Sequence, residues 1–253
     1  KKKIVMKFDS TINAPRAEKI PYQLKKHGDI RVDNYYWIKE KENPEVIDYL
    51  ERENDYYQRM TKSSKSLKGD LFIEMKKRIK EEDESVPYFL NGFWYITRYE
   101  KGKQYPIYTR KKDSLTADEE ILFDCNKLAK GHDYFQLVGV NVSPDNTKVI
   151  YGIDLESRRK YTLYVKDLQT NEVLKTNIKN TTGSTAWSSN NNNFFYVKKN
   201  EQTLRPEKVF LHDISKPENL DTLIYNEKDE TFSVYIDESK SKEYIFLSSY
   251  STL

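Results

Sequence analysis

The sequence predicts a mainly β protein, in which an incomplete β-propeller of about three to four blades follows an extended arm and two helices. Beyond residue 86, short apolar or aromatic runs alternate with turn-forming residues about every ten positions. A ten-residue pattern also recurs in this region, whereas apolar residues before it recur at helical spacing. We therefore assign 1–85 to an arm and helical segment and 86–253 to a partial propeller.

The first forty residues are predicted to be extended and looping. Pro15, Pro21 and a turn at Gly28–Asp29 interrupt any long hydrophobic period there. A helix of about four turns is predicted to follow, because Asn43 is a good N-cap and Pro44 suits the first helical position.

A second helix is predicted over about residues 66–80. Its apolar side chains fall four positions apart, at Leu67, Leu71, Met75 and Ile79. The acidic run 81–84 lacks the glycine and alternating oxygen ligands of a calcium loop. It is therefore interpreted as the solvated end of this helix.

The β region contains an internal repeat. Residues 142–151 align with residues 187–196, which places Ser143 and Ser188 45 positions apart. Repeats of about 40–50 residues with several strands each are typical of propeller blades. Accordingly, 149–151 and 194–196 are expected on equivalent strands of adjacent blades.

Neighbouring segments extend the repeat. Residues 164–168 align with 210–214 at an offset of 46, and 235–242 are assigned to a further turn, at an offset of 49. An earlier unit is placed around 93–96, 106–109 and 121–123. Because an open propeller would expose unpaired strand edges, the chain is expected to be a fragment of a longer polypeptide.

Charge and composition exclude several partners and locations. The 43 basic and 40 acidic residues leave a net charge of +3, which does not favour nucleic acid. No apolar run approaches the roughly 18 residues of a membrane-spanning helix. The lone Cys125 cannot form an internal disulfide and fits a reducing compartment, so the cytoplasm is predicted. Because residue 1 is not Met, a periplasmic or secreted location stays open.

The sequence offers no constellation for catalysis. It lacks G-x-S-x-G, and Gly183–Ser184 is interpreted as a turn in a loop between blades. His27, His132 and His212 lie far apart, so they are interpreted as surface or hydrogen-bonding residues. Cys125 has no basic neighbour and is expected to be an inert, partly buried thiol. We therefore assign no catalytic, substrate-binding or metal-ligating residue and no cofactor.

Arg158 and Arg159 are the candidate interaction residues. They occupy a polar turn, residues 154–160, between two predicted strands. The tip of such a hairpin points toward solvent or toward a facing domain. Arginine suits the second case because its planar fork binds a carboxylate through two hydrogen bonds. A solvated turn is the competing interpretation.

Five segments resemble the N-terminal part of the prolyl oligopeptidase family of serine peptidases, and its oligopeptidase B branch in particular. They are residues 26–38, 44–54, 145–147, 157–161 and 223–232. Asn34 and Ile38 stand where family members more often have Asp and Leu, which are conservative differences.

The resemblance implies a seven-bladed propeller that caps an α/β-hydrolase domain and excludes large folded substrates. The serine, aspartate and histidine of that family lie in the C-terminal catalytic domain, which is absent from this chain. The resemblance therefore implies a gating role here, in a parent protein that cleaves short peptides after Arg or Lys. This chain alone is expected to be inactive. A propeller-like protein-interaction module without catalysis is the alternative.

Overall fold

The computed structural model describes residues 11–252. Its contacts divide the chain into two compact units, one ending at Lys80 and the other starting at Glu81. Strands contain 41% of the described residues and helices contain 18%, so the predicted mainly β class is confirmed. No helix among the described residues is long and apolar enough to cross a membrane.

The first described element of the first unit is a β-hairpin that the sequence analysis missed. Strands β1 (Tyr22–Lys26) and β2 (Asp29–Asp33) pair antiparallel. They are joined at His27 and Gly28, whose φ angles are 54° and 81°. Two left-handed residues in succession are typical of the tight turn that matches strand twist. The arm is thus not simply extended, and its turn lies one residue earlier than predicted.

Two helices follow, preceded by a 3-10 turn over Tyr36–Lys39. Helix α1 spans Pro44–Met60, and the Asn43 side chain accepts a hydrogen bond from the Glu45 backbone N–H at 3.0 Å, as a helix N-cap does. This confirms the first predicted helix. Helix α2 spans Lys65–Lys77, three residues shorter at its end than predicted.

The interpretation of the acidic run 81–84 as a helix end is wrong. Asp83–Glu84 form a short strand, β3, in the second unit. The backbone of β3 pairs with Arg98 and Tyr99. This pairing gives backbone N–H and C=O groups of the run hydrogen-bond partners in the sheet. At the end of a helix such groups would bind water instead.

The second unit starts with one complete blade. Strands β5 (Phe93–Tyr99), β6 (Ile107–Lys112) and β7 (Glu119–Asp124) follow one another across an antiparallel sheet. Both β3 and β4 (Tyr88–Leu90) pair with the remaining edge of β5. A single helical turn, α3 (Cys125–Leu128), follows this blade.

The next two blades share one continuous seven-stranded sheet. Its strands are β8 (Gln136–Val142), β9 (Lys148–Asp154), β10 (Tyr161–Asp167), β11 (Ile178–Trp187), β12 (Asn193–Lys199), β13 (Pro206–Asp213) and β14 (Thr222–Asn226). Strand β11 pairs with β10 up to Thr181 and with β12 from Thr181 onward. It therefore ends one blade and begins the next. Strands β15 (Phe232–Glu238) and β16 (Ile245–Ser251) form half of a further blade.

The predicted repeat is confirmed. Residues 149–151 lie on β9 and residues 194–196 on β12, and each is the second strand of its blade. The turn before each second strand closes in the same way, since Ser143 N donates to Lys148 O and Ser188 N to Asn193 O.

The offset predicted for the following turn is wrong. Residues 235–238 still belong to β15, and the equivalent turn begins at Ser239, whose N–H donates to Tyr244 O.

The apolar core lies between successive blades, because alternate residues of a strand face opposite sides of its sheet. On β9, Val149 and Tyr151 pack toward the first blade, whereas Ile150 packs with Leu163 and Phe194. A smaller cluster joins the third blade to β15 through Val197, Val209 and Val234.

The first strands of two blades approach very closely at Gly139 and Gly183. A Cβ atom on Gly139 would lie 2.1 Å from the carbonyl oxygen of Gly183. Both residues have positive φ, at 64° and 83°. Only glycine accommodates this contact and this backbone without strain.

Candidate functional site

Arg158 and Arg159 lie on the exposed loop between β9 and β10, as the sequence predicts. We call residues 155–160 the β9–β10 tip. It lies at the opposite end of β9 from the Ser143–Lys148 turn. Among the described residues, no ion pair joins either arginine to an acidic side chain.

Asp154 holds the base of the tip. This last residue of β9 is 1% exposed. One carboxylate oxygen accepts a hydrogen bond from Glu156 N at 2.8 Å, and the other accepts one from Arg159 N at 2.6 Å. A buried carboxylate thus fixes the path of the backbone on both sides of Arg158.

Lys199, the last residue of β12, reaches the tip from the next blade. Its ammonium group donates to the carbonyl oxygen of Arg159 and lies 5.7 Å from the centre of the Tyr161 ring. Asn180 Nδ2 donates to Lys199 O at 2.8 Å. Burial, and secondarily repulsion from Arg159, lower the pKa of Lys199.

The opposite end of the blades carries a cavity of about 240 Å³. It is lined by residues from all four blades: Leu90, Asn91, Asn141, Val142, Pro144, Trp187, Ser189, Glu238 and Lys242. Two of its polar groups are already engaged, because Trp187 Nε1 donates to Asn141 O and Asn141 Nδ2 donates to Thr185 O. Glu238 and Lys242 pair with each other. The cavity therefore shows no convergent set of reactive groups.

Thr176, His212 and Asp221 form a hydroxyl–imidazole–carboxylate chain that the sequence analysis missed. His212 Nδ1 lies 2.6 Å from Asp221 Oδ1, and His212 Nε2 lies 3.4 Å from Thr176 Oγ1. This connectivity resembles a nucleophilic triad. However, the His212 and Asp221 side chains are 1% and 2% exposed, so no substrate reaches them.

The hydrogen-bonded set of Thr176, His212 and Asp221 therefore has a structural role. Tyr196 OH donates to the second Asp221 oxygen at 2.8 Å, and burial, followed by this hydrogen bond, raises the pKa of Tyr196. Asp221 thus links strands β12 and β13. The repeat aligns His212 with Lys166, which is only half-buried, so the sequence contained no signal for the burial of His212.

The structure also locates Gly183–Ser184 and Cys125, which the sequence analysis had considered as candidate nucleophiles. Gly183–Ser184 is not in a loop, since both residues lie within β11, where Gly183 allows the strand to bend from one blade into the next. Cys125, expected to be partly buried, is fully buried at 1% exposed, and this burial raises the pKa of its thiol to about 12. Among residues 11–252, no group of three or more His, Cys, Asp or Glu could hold a metal ion.

Comparison with known proteins establishes the class of this fold. A family model described as the prolyl oligopeptidase N-terminal β-propeller domain matches residues 15–253. The chain belongs to the prolyl oligopeptidase family, as the sequence resemblance predicted.

Individual relatives agree with this assignment. The chain is 35% identical to dipeptidyl aminopeptidase BI of Pseudoxanthomonas mexicana and 35% identical to protease 2 of Moraxella lacunata, over 94% and 92% of its length. Oligopeptidase B from Leishmania major superimposes on 94% of this chain with a TM-score of 0.86 and 27% identity. The chain spans 36% and 35% of the two curated relatives and 36% of the oligopeptidase B chain.

Proposed function

We propose that this chain is the N-terminal propeller portion of a serine oligopeptidase that cleaves short peptides after Arg or Lys. In this proposal the propeller gates access to a C-terminal catalytic domain of the same polypeptide, and the cytoplasm is its compartment. The supporting observation is the close match of the fold to oligopeptidase B, with a TM-score of 0.86 over 94% of the chain.

The chain's own chemistry supports a gating and supporting role. Its sequence contains no G-x-S-x-G nucleophile segment, and its hydroxyl–histidine–carboxylate chain is sealed in the core. The acyl-enzyme chemistry of serine peptidases needs an accessible serine with a general base and oxyanion donors. Those groups belong to the catalytic domain in this proposal.

Arg158 and Arg159 are proposed to contact that catalytic domain. An exposed, solvent-screened ion pair contributes only about 0–1 kcal/mol, which is too little to hold two domains together. A contribution of that size is enough to bias an equilibrium between open and closed arrangements.

The test uses the full-length polypeptide and the isolated chain side by side. Amino-blocked chromogenic peptides ending in Arg, Lys or Pro are assayed together with free dipeptide substrates. The proposal expects turnover of the blocked Arg and Lys peptides by the full-length polypeptide. It expects neither turnover nor labelling by a serine-reactive phosphonate for the isolated chain.

Other outcomes separate the alternatives. Turnover only of substrates with a free amino end would indicate a dipeptidyl aminopeptidase, the activity named for the Pseudoxanthomonas mexicana relative. A reading frame that stops without a nucleophile segment would favour the interaction module. Stoichiometric labelling of the isolated chain would reveal a nucleophile within it.

A further inference from the structure

The backbone of the β9–β10 tip adopts an unfavourable conformation. Ser157 and Arg159 have φ angles of 58° and 54°, although neither is glycine. Residues with a Cβ atom are disfavoured in this region, and asparagine and aspartate enter it more readily than serine or arginine. Such a conformation persists only where surrounding groups hold it.

Two groups hold the tip, and neither belongs to it. Asp154 accepts the N–H groups of Glu156 and Arg159 from a position that is 1% exposed. Lys199 binds the carbonyl oxygen of Arg159 from the adjacent blade. Both polar groups of the Arg159 backbone are therefore fixed by side chains from outside the tip.

The charge of the tip indicates what it contacts. Arg158, Arg159 and Lys160 are cationic, and Glu156 supplies the one exposed carboxylate of the tip. Asp154 adds a negative charge beneath the tip, and the ammonium group of Lys199 from the adjacent blade offsets it, so the tip keeps a net positive charge. A complementary partner surface is therefore acidic.

We propose that Asp154 and Lys199 are positioning residues, which hold Arg158 and Arg159 outward toward an acidic surface on the catalytic domain. This inference rests on the proposed function and names the residues that make the contact effective. Preorganising the tip removes the cost of ordering a loop each time the contact forms.

The test uses the full-length polypeptide with Asp154→Asn, Lys199→Met and a matched control, Asp167→Asn. Asp154 accepts the two N–H groups through different oxygens, and Asn replaces one of these oxygens with an NH2 group, so one N–H group loses its acceptor. Met keeps the length of the lysine stem. In the control position, Asp167 Oδ1 accepts the N–H groups of Gln169 and Thr170 at 2.8 and 2.9 Å. That turn follows β10, at the opposite end of the blade from the tip.

Two measurements are made on each variant. Amide hydrogen exchange of residues 155–160 reports whether the tip is held, and we expect about tenfold faster exchange in Asp154→Asn and Lys199→Met. KM and kcat at low and high salt report the contact. We expect KM to rise about two- to fivefold at low salt, with kcat nearly unchanged and the increase lost at high salt. The control is expected to change neither.

A comparison with a triple variant adds a readout that a merely structural role would not move. If positioning acts through the arginines, Asp154→Asn adds little to the KM effect of Arg158→Ala combined with Arg159→Ala. Lys199→Arg is expected to restore much of the wild-type KM, because it keeps a donor near the Arg159 carbonyl.

The outcomes separate this inference from the proposed function. Unchanged exchange at the tip would overturn the inference, because Asp154 and Lys199 would then not hold it. Faster exchange with an unchanged KM, while the arginine variants raise KM, would also overturn it and leave the proposed contact intact. If the arginine variants leave KM unchanged as well, the proposed contact fails, and the inference fails with it.

Discussion

Replacing Gly139 with alanine tests the close approach of β8 and β11. The new Cβ would lie 2.1 Å from the carbonyl oxygen and 3.2 Å from the carbonyl carbon of Gly183. Both atoms belong to backbone, so the contact is relieved only if the strands move apart. Left-handed strain costs about 1–2 kcal/mol and overpacking about 1–3 kcal/mol, which gives a loss of about 2–5 kcal/mol.

Matched glycines separate the two contributions. Gly131 has a φ of 83°, but no atom lies within 4 Å of the position of an added Cβ. Gly131→Ala should therefore carry only the left-handed strain, about 1–2 kcal/mol. Gly69 lies in α2 with open space around it, so Gly69→Ala should stabilise its helix by about 0.5–1 kcal/mol.

Native-state hydrogen exchange measures these effects locally. Peptides from β8 and β11 report the opening of the blade junction, where each 1.4 kcal/mol corresponds to about a tenfold change in exchange rate. We expect Gly139→Ala to accelerate exchange at the junction at least about tenfold more than Gly131→Ala does. Equal effects of the two variants would refute the reasoning, because the steric contact would then contribute nothing.

Two further predictions concern polar networks in the third blade. Asp221→Ala removes the acceptor of both His212 and Tyr196, and two buried donors left unpaired should lower the free energy of unfolding by about 2–5 kcal/mol; a loss below about 1 kcal/mol in urea unfolding would contradict this. Hydrogen bonds from Ser215, together with Lys216, lower the pKa of Asp213 from 3.8 to about 2. The folded state therefore binds the proton more weakly, so this stabilisation is present above the unfolded pKa and is lost as pH falls toward 2. In Asp213→Asn, the free energy of unfolding should therefore fall less steeply over that pH range than in the wild type. An unchanged pH dependence of the free energy of unfolding would exclude this contribution.

Local sequence signals predicted the elements whose causes are local. Asn43 and Pro44 define the start of α1, because the N-cap side chain needs only a backbone N–H group two residues further along the chain. The blades were predicted from a repeated strand–turn–strand pattern, which needs no knowledge of distant contacts. Ser143 and Ser188 close their turns by the same backbone hydrogen bond, and this equivalence is what the alignment detected.

Features that depend on distant partners were missed. His212 finds Thr176 36 positions away, and its burial follows from that partner and Asp221. The sharing of β11 between two blades depends on a bend at Gly183, which in sequence looked like an ordinary turn residue. The exposure of Arg158 was predictable from the polar tip, but the lysine that fixes the tip follows 40 positions after Arg159.

The left-handed residues of this unit differ in what they accomplish. Asn146 donates from its side chain to Asn91 O of the preceding blade, and Asn191 accepts from Asp145 N of the preceding blade. Their backbone conformation therefore aims a side chain that joins two blades, and asparagine tolerates that conformation well.

The left-handed residues of the β9–β10 tip do not aim their own side chains at a neighbouring blade in this way. Its link to the next blade runs from Lys199 to a backbone carbonyl, and the described structure shows no hydrogen bond from the guanidinium groups of Arg158 and Arg159 to a neighbouring blade. The left-handed conformation of Ser157 and Arg159 thus directs neither of their own side chains into a neighbouring blade, yet a buried carboxylate holds it. Strain that does not serve to join the side chains of two blades is expected where a surface must be presented in one conformation. This supports the proposal that the domain contact is made by the arginines of the tip rather than by the turns on the opposite end of the blades.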